Sequence, residues 1–259
     1  MIAIRHSSAT EWNKKLVETP GKRGETNSEW LARIKAESGL VLLGGASLPH
    51  FRIRVAQSHL RSDLLPSFWS LVGVLQGPKS FASVPLEVPD VSRVPGTNGI
   101  QRCLLADYDD PELFPNIAVI SFTSDEAAIR SNIEHVMRQR GIIDLPGLML
   151  PWLGYVWGAG QKGNPLFDSL GLPSSVFAEA VYGIARIELT PGLSSATSCP
   201  EAIWQAAKWW QNFYQSYEST DTETVAATVP AGQYTIRQPM AAVTAESTPP
   251  VRRSRRRRG

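Results

Sequence analysis

Asn116-Ile-Ala-Val-Ile-Ser-Phe122 runs directly into Thr123-Ser-Asp-Glu126, and this junction decides the fold class. The first seven residues are rich in β-branched and aromatic types, the composition of a strand. In the next four a hydroxyl stands three residues before a glutamate, so that each side chain can satisfy an orphan backbone donor at a helix start. The spacing predicts a helix from there to about Arg140, with Gly141 as its stop. Ile129, Ile133 and Met137 fall at four-residue steps with Val136 beside them, giving one apolar stripe. A strand followed at once by a capped amphipathic helix implies helices layered on a sheet. The expected fold is therefore α/β (or α+β): a single mixed-sheet domain with capped amphipathic helices and long Pro/Gly-rich loops.

Upstream, Thr26-Asn-Ser-Glu29 repeats the capping box and opens a short helix carrying Trp30, Leu31 and Ile34, with Gly39 as its stop. Leu40 to Leu43 reads as a buried strand ending at Gly44-Gly45. Phe51-Arg-Ile-Arg-Val-Ala-Gln57 alternates apolar and polar residues, which predicts a half-solvated strand with Phe51, Ile53 and Val55 inward. Phe68 to Leu75 is a further apolar run of strand or short-helix type. Pro78, Pro85, Pro89 and Pro95 make the stretch from Gly77 to Gly99 an irregular excursion, with Phe81 to Leu86 its one strand. Ile100 to Ala106 is the next strand, closed by the turn-rich Asp107-Tyr-Asp-Asp-Pro111.

Downstream, Leu145 to Pro173 is rich in Gly, Pro and aromatics and reads as a long loop packed on the body or on a partner. A helix over Ser174 to Ala185 and a strand over Arg186 to Leu189 follow. Ser198-Cys-Pro-Glu201 is a third capping box, opening a helix to about Tyr217. Ile203, Ala207, Trp210, Tyr214 and Tyr217 line one side of it, and Trp204, Trp209 and Phe213 widen that side, so the helix should be covered on more than one face. The composition changes after Ser219. Residues 1–219 form the globular domain, 220–243 an extended appendage with a candidate edge strand at Tyr234 to Arg237, and 244–259 a disordered tail.

That tail ends Arg252-Arg-Ser-Arg-Arg-Arg-Arg258-Gly. Of 26 basic residues against 24 acidic, its six arginines leave 20 elsewhere, so the body carries a formal charge of −4 with a basic string attached. Such a run repels itself and stays solvated. Arg252, Arg253, Arg255, Arg256, Arg257 and Arg258 are accordingly the candidate contacts to an anionic partner: nucleic acid, bound by counterion release, or an acidic surface. Charged residues are only 19% of the chain, below the roughly 25% usual in soluble domains, which favours association. Trp152, Trp157, Trp204 and Trp209 are the interface candidates.

The sequence offers no apolar stretch of secretory or membrane-spanning length, and a cytoplasmic protein is expected. Cys103 and Cys199 fit neither a disulfide framework nor a metal spacing and are expected reduced and buried. Gly158-Ala-Gly-Gln-Lys-Gly163 matches a dinucleotide fingerprint on paper, but Asn164-Pro165 follows where a helix should start, and no cofactor is expected. Asp107, Asp109 and Asp110 can hold a hard cation through oxygen, or serve as turn formers bonded to their own backbone. Ser58, His59 and Asp63 carry the residue types of a nucleophile, base and orienting acid, but with Arg54 and Arg61 they read better as a polar strand end with internal ion pairs. Cys103 with His59 or His135 is a thiol alternative. Each constellation lacks the context its chemistry needs. The reading is thus a non-enzymatic structural or interaction component of a larger assembly, binding other subunits or itself, with the arginine tail on an anionic partner. The alternative is a hydrolase-like or metal-assisted enzyme near His59 and Asp107 to Asp110.

Overall fold

Six strands make one sheet in the computed structural model, which describes residues 25–87, 99–122, 124–139, 142–158, 163–217 and 232–236. They are β1 (Leu40–Gly44), β2 (Leu71–Leu75), β3 (Ser80–Ser83), β4 (Gln101–Leu104), β5 (Asn116–Phe122) and β6 (Gly232–Ile236), in the order β4-β3-β2-β1-β5-β6. The mixed α/β class stands, while every ladder is antiparallel rather than mixed. In β1, Leu42 pairs with Val72 on one side and Ala118 on the other. Successive side chains point to opposite faces, and here both faces are apolar. Leu40, Leu42, Val72, Val74, Ala118 and Ile120 enter one core, and Val41, Leu43, Leu71, Phe81, Ile117 and Val119 enter another.

The second core is closed by α1 (Asn27–Ile34), which buries Trp30 and Leu31 there. Its capping box forms as the sequence implies: Thr26 Oγ1 accepts from Glu29 N at 3.2 Å, and Thr26 N donates to Glu29 Oε2 at 3.0 Å. The helix stops at Lys35, in the left-handed region at φ 55°, earlier than Gly39. Gly39 serves the sheet instead. At φ +106° it lets the chain enter β1 so close to β5 that a Cβ would lie 2.3 Å from Ile120 O.

The first core is closed by α3 (Glu126–Arg138), α5 (Pro173–Ile184) and α6 (Pro200–Tyr217), with Leu145 of α4 (Leu145–Val156). Between Gly45 and Gln57 lies α2 (Leu48–Ala56), which packs Ile53 and Ala56 against Trp152 and Val156 of α4 in a third cluster. The predicted α3 exists, but its cap is Asp125, whose Oδ1 accepts from Ala127 N and Ala128 N.

Four expectations fail. Phe51 to Gln57 is not a strand but most of α2; its buried residues His50, Ile53, Arg54 and Gln57 follow helical spacing, and Val55 is exposed. Seven alternating residues fit both periods, and Ser47-Leu-Pro49 supplies the helix start. Leu145 to Pro173 is not one loop: Asp144 caps α4 through Gly147 N, and Pro165–Asp168 is a 3₁₀ turn. Arg186 to Leu189 forms no strand. The third capping box does not close, because the Glu201 carboxylate turns inward to Ser67 Oγ at 2.6 Å and to the Gln205 amide. The expected edge strand is β6, paired with β5. The boundaries at 219 and 243, the tail 244–259 and the side chains of Trp210, Phe213, Tyr214 and Tyr217 lie outside the described residues.

Candidate docking groove

Three segments far apart in sequence meet at an open groove of about 490 Å³. The first is the 3₁₀ turn Ser58–Leu60 after α2, contributing Leu60. The second is the turn after α5, contributing Thr190, Pro191 and Leu193, and the third is the outward side of α6, contributing Ala202, Gln205, Ala206 and Trp209. Among the described residues no lining side chain is charged. Leu60, Leu193 and Trp209 are 39%, 56% and 55% exposed, a concentration of large apolar surface of the kind that marks an interaction site. Residues at positions 203, 204 and 207 of α6 face the core while those at 202, 205, 206 and 209 face the groove, so the helix is apolar on two sides.

What fixes the groove is a buried polar network beneath it. Gln57 donates to Ile53 O and Trp69 O and accepts from Glu201 N at 2.8 Å, joining α2, the entry to β2 and the first turn of α6. Arg54, fully buried, donates Nε to Ser67 O at 2.6 Å and Nη1 to Gly45 O at 3.3 Å. Burial, and then the neighbouring charge of Arg61, lower its affinity for a proton. Thr190 Oγ1 donates to Glu179 Oε1 at 2.6 Å, and burial raises the Glu179 pKa. Buried groups held this way rigidify the elements that carry them.

Ser58, His59 and Asp63 lie beside the groove but do not make a catalytic set. The Asp63 carboxylate is bound by the Arg61 guanidinium and accepts from Leu65 N, and Arg61 holds its pKa down at about 2. His59 is exposed and tilts against the Phe167 ring at 5.0 Å. Arg61 also sits 4.7 Å over the Phe68 ring and 4.0 Å from the buried Glu201. Asp109 accepts from Ser28 N at the start of α1, a contact across the fold, and Asp110 accepts from Glu112 N and Leu113 N, as a turn former does. Among the described residues no cluster of three or more His, Cys, Asp or Glu is placed to hold a metal. Cys103 and Cys199 are free and buried, and burial pushes the Cys199 thiol up to about 12. His135 is exposed on α3.

The interface candidates divide. Trp152 is core, donating Nε1 to Gly171 O at 2.9 Å, and Trp204 is core, edge-on to Trp69 at 5.1 Å. Trp157 and Trp209 are the exposed pair.

The nearest approach to a nucleophile, base and acid lies elsewhere and was not legible in the sequence. Ser70 Oγ is 2.8 Å from His50 Nδ1, and His50 Nε2 is 3.6 Å from Glu87 Oε2, which also accepts from Ser47 Oγ. Yet Ser70 is buried, its oxygen accepts from Gly45 N at 3.0 Å and donates to Leu43 O at 3.3 Å, and none of this group lines the groove. An oxygen enclosed by its own backbone cannot reach a substrate carbon. The group instead locks the β1 exit, where Gly45 lies so close to His50 that a Cβ would come within 2.5 Å of the ring. A second groove, of about 570 Å³, runs between β4 and α3 past Arg102, Arg130 and Glu134, and its charges are paired: Arg102 with Glu134, Arg130 with Glu126. Among the described residues no helix is long and apolar enough to cross a membrane.

No family model matches the chain, no curated protein matches its sequence, and no solved structure matches its fold.

Proposed function

We propose that this protein is a non-enzymatic interaction component of a larger protein assembly. It docks another protein chain through the groove between Leu60, Leu193 and Trp209, and the six tail arginines contact an anionic partner. One observation carries the reading: a wide groove whose described lining is uncharged and whose exposed rim is leucine and tryptophan, fixed from below by a buried hydrogen-bonded network. Rigid apolar surface is favourable for docking because little freedom is lost on binding. The hydrolase-like alternative has no comparable support, since the Asp63 carboxylate is bound to Arg61 and the Ser70 hydroxyl is enclosed. The cytosol suits two buried free thiols.

A photoreactive phenylalanine analogue at position 193 tests this in cells. A discrete protein adduct, lost when Trp209 is changed to Glu, is expected. Adducts no different from those at an exposed position away from the groove, such as 113, would refute it.

A further inference from the structure

We infer that the outer edge of β4 is a second docking site, which takes an extended acidic segment of another protein as a further strand of the sheet. It shares no described lining residue with the Leu60 groove, so its failure would leave the docking reading above standing.

β4 ends the sheet order, and the ladder fixes which of its peptide groups face outward. Ser80 pairs with Leu104 and Phe81 with Cys103. Just past the strand, Leu105 N donates to Lys79 O at 2.9 Å, so the groups of Gln101 and Cys103 turn toward β3 and those of Arg102 and Leu104 turn away. Leu104 is still extended, at φ −88° and ψ 136°. The N–H and C=O groups of two alternate residues on an open edge are what a peptide backbone completes in strand addition.

The side chains of such a strand have room. Cys103 enters the core that α1 closes, so Arg102 and Leu104 stand on the opposite face, the one that α3 covers. The groove of about 570 Å³ lies there, walled by both residues and by Arg130, Ser131 and Glu134 of α3. A strand laid along β4 directs every second side chain into it. Leu104, 45% exposed, offers apolar contact.

The charges select the occupant. Among the described lining residues Arg102 and Arg130 face a single acid, Glu134, which Arg138 also approaches at 4.0 Å. The Arg102 and Arg130 side chains are 58% and 57% exposed, against 36% for Glu134, so the cations stand outermost. A second copy pairing through β4 would set these arginines against their equivalents, and the six-arginine tail is disfavoured on the same ground. An acidic strand is attracted instead.

Fluorescence anisotropy on the purified full-length chain tests this, with a labelled peptide of alternating glutamate and valine as the probe and its lysine-for-glutamate counterpart as the control. The acidic probe is expected to bind at least about tenfold more tightly than the control, and Arg130→Gln should narrow that ratio. Leu104→Pro removes one outward N–H and no bond to β3, and should weaken binding at least about fivefold, the effect of one lost backbone hydrogen bond. An unchanged circular dichroism melt shows that this variant is folded. Should it not fold, hydrogen exchange on the wild type reads the edge directly: the bound probe should slow the Arg102 and Leu104 amides. No binding of the acidic probe, equal binding of both peptides, a folded Leu104→Pro that binds as the wild type does, or unprotected amides at 102 and 104 overturns the inference.

Discussion

Lowering the pH should weaken this fold through one residue, His50. Its ring is enclosed at the β1 exit, and burial, with the Arg54 charge second, pulls its pKa from 6.5 down to about 4. The Glu87 carboxylate at 3.6 Å acts the other way and does not prevail. Because the folded value lies below the unfolded one, the unfolded chain binds the extra proton in the interval between them. Stability is therefore full above about 6.5 and declines as the pH falls toward 4. Two and a half pK units correspond to about 3 kcal/mol at 1.36 kcal/mol each, a large part of the roughly 5–15 kcal/mol of an ordinary domain. Glu179 acts with the opposite sign: its raised pKa strengthens the fold as the pH falls, offsetting part of the loss. The assay is urea unfolding at several pH values between 7 and 4, on the wild type and on His50→Gln, which keeps a polar partner for Ser70 but does not titrate. Both proteins share the Glu179 contribution, so the difference in slope belongs to His50. Equal slopes would refute the reasoning.

Removing the carboxylate at 201 should cost about 3 kcal/mol, because Ser67, Gln205 and Arg61 lose a buried partner together; thermal melting of Glu201→Ala reads this. Two tryptophans of α6 should differ in thermal melting: Trp204→Ala loses about 3–5 kcal/mol from the core, whereas Trp209→Ala, at a residue 55% exposed, loses less. Deleting residues 244–259 should leave the melting temperature almost unchanged. Retention of random nucleic-acid probes by the full chain should fall with a log–log salt slope of at most about 5, from six arginines at roughly 0.9 per phosphate, and vanish when all six are glutamine.

The β5–α3 junction and the Thr26 box were legible because their signals are local: strand composition, a cap and an apolar stripe within some twenty residues. Helix α4 was not, because Pro146, Gly147, Pro151 and Gly154 mask it. Its usable signal is Asp144 as cap, a proline in the first turn, and Leu145, Trp152 and Val156 at helical intervals. The same pairing of a short polar residue with a proline two positions later opens α2 at Ser47 and Pro49. Arg54 and Gln57 could not be read as core, since what makes their burial tolerable is carbonyls of Gly45, Ser67 and Trp69 supplied by the fold. Trp209 was among the interface candidates, but its groove is not, because Leu60 and Leu193 lie more than a hundred residues apart.

A sheet with two greasy faces has a peculiar weakness in finding its alignment. In a half-solvated sheet, slipping one strand by a residue exposes its whole apolar set, and that penalty fixes the pairing. Here the slip would merely exchange two apolar faces. Shape must discriminate instead, and the discriminating element is Gly73 in β2, where a Cβ would stand 2.1 Å from the Phe81 ring. Phe81 fits only over that gap, with Leu75 as its partner in the ladder. Ser83 adds a second mark by donating to Val72 O across the same pair of strands. The chain thus keys its strands by one missing side chain and one hydroxyl, and Gly73→Ala should produce misaligned, slowly maturing species even where the total apolar burial is unchanged.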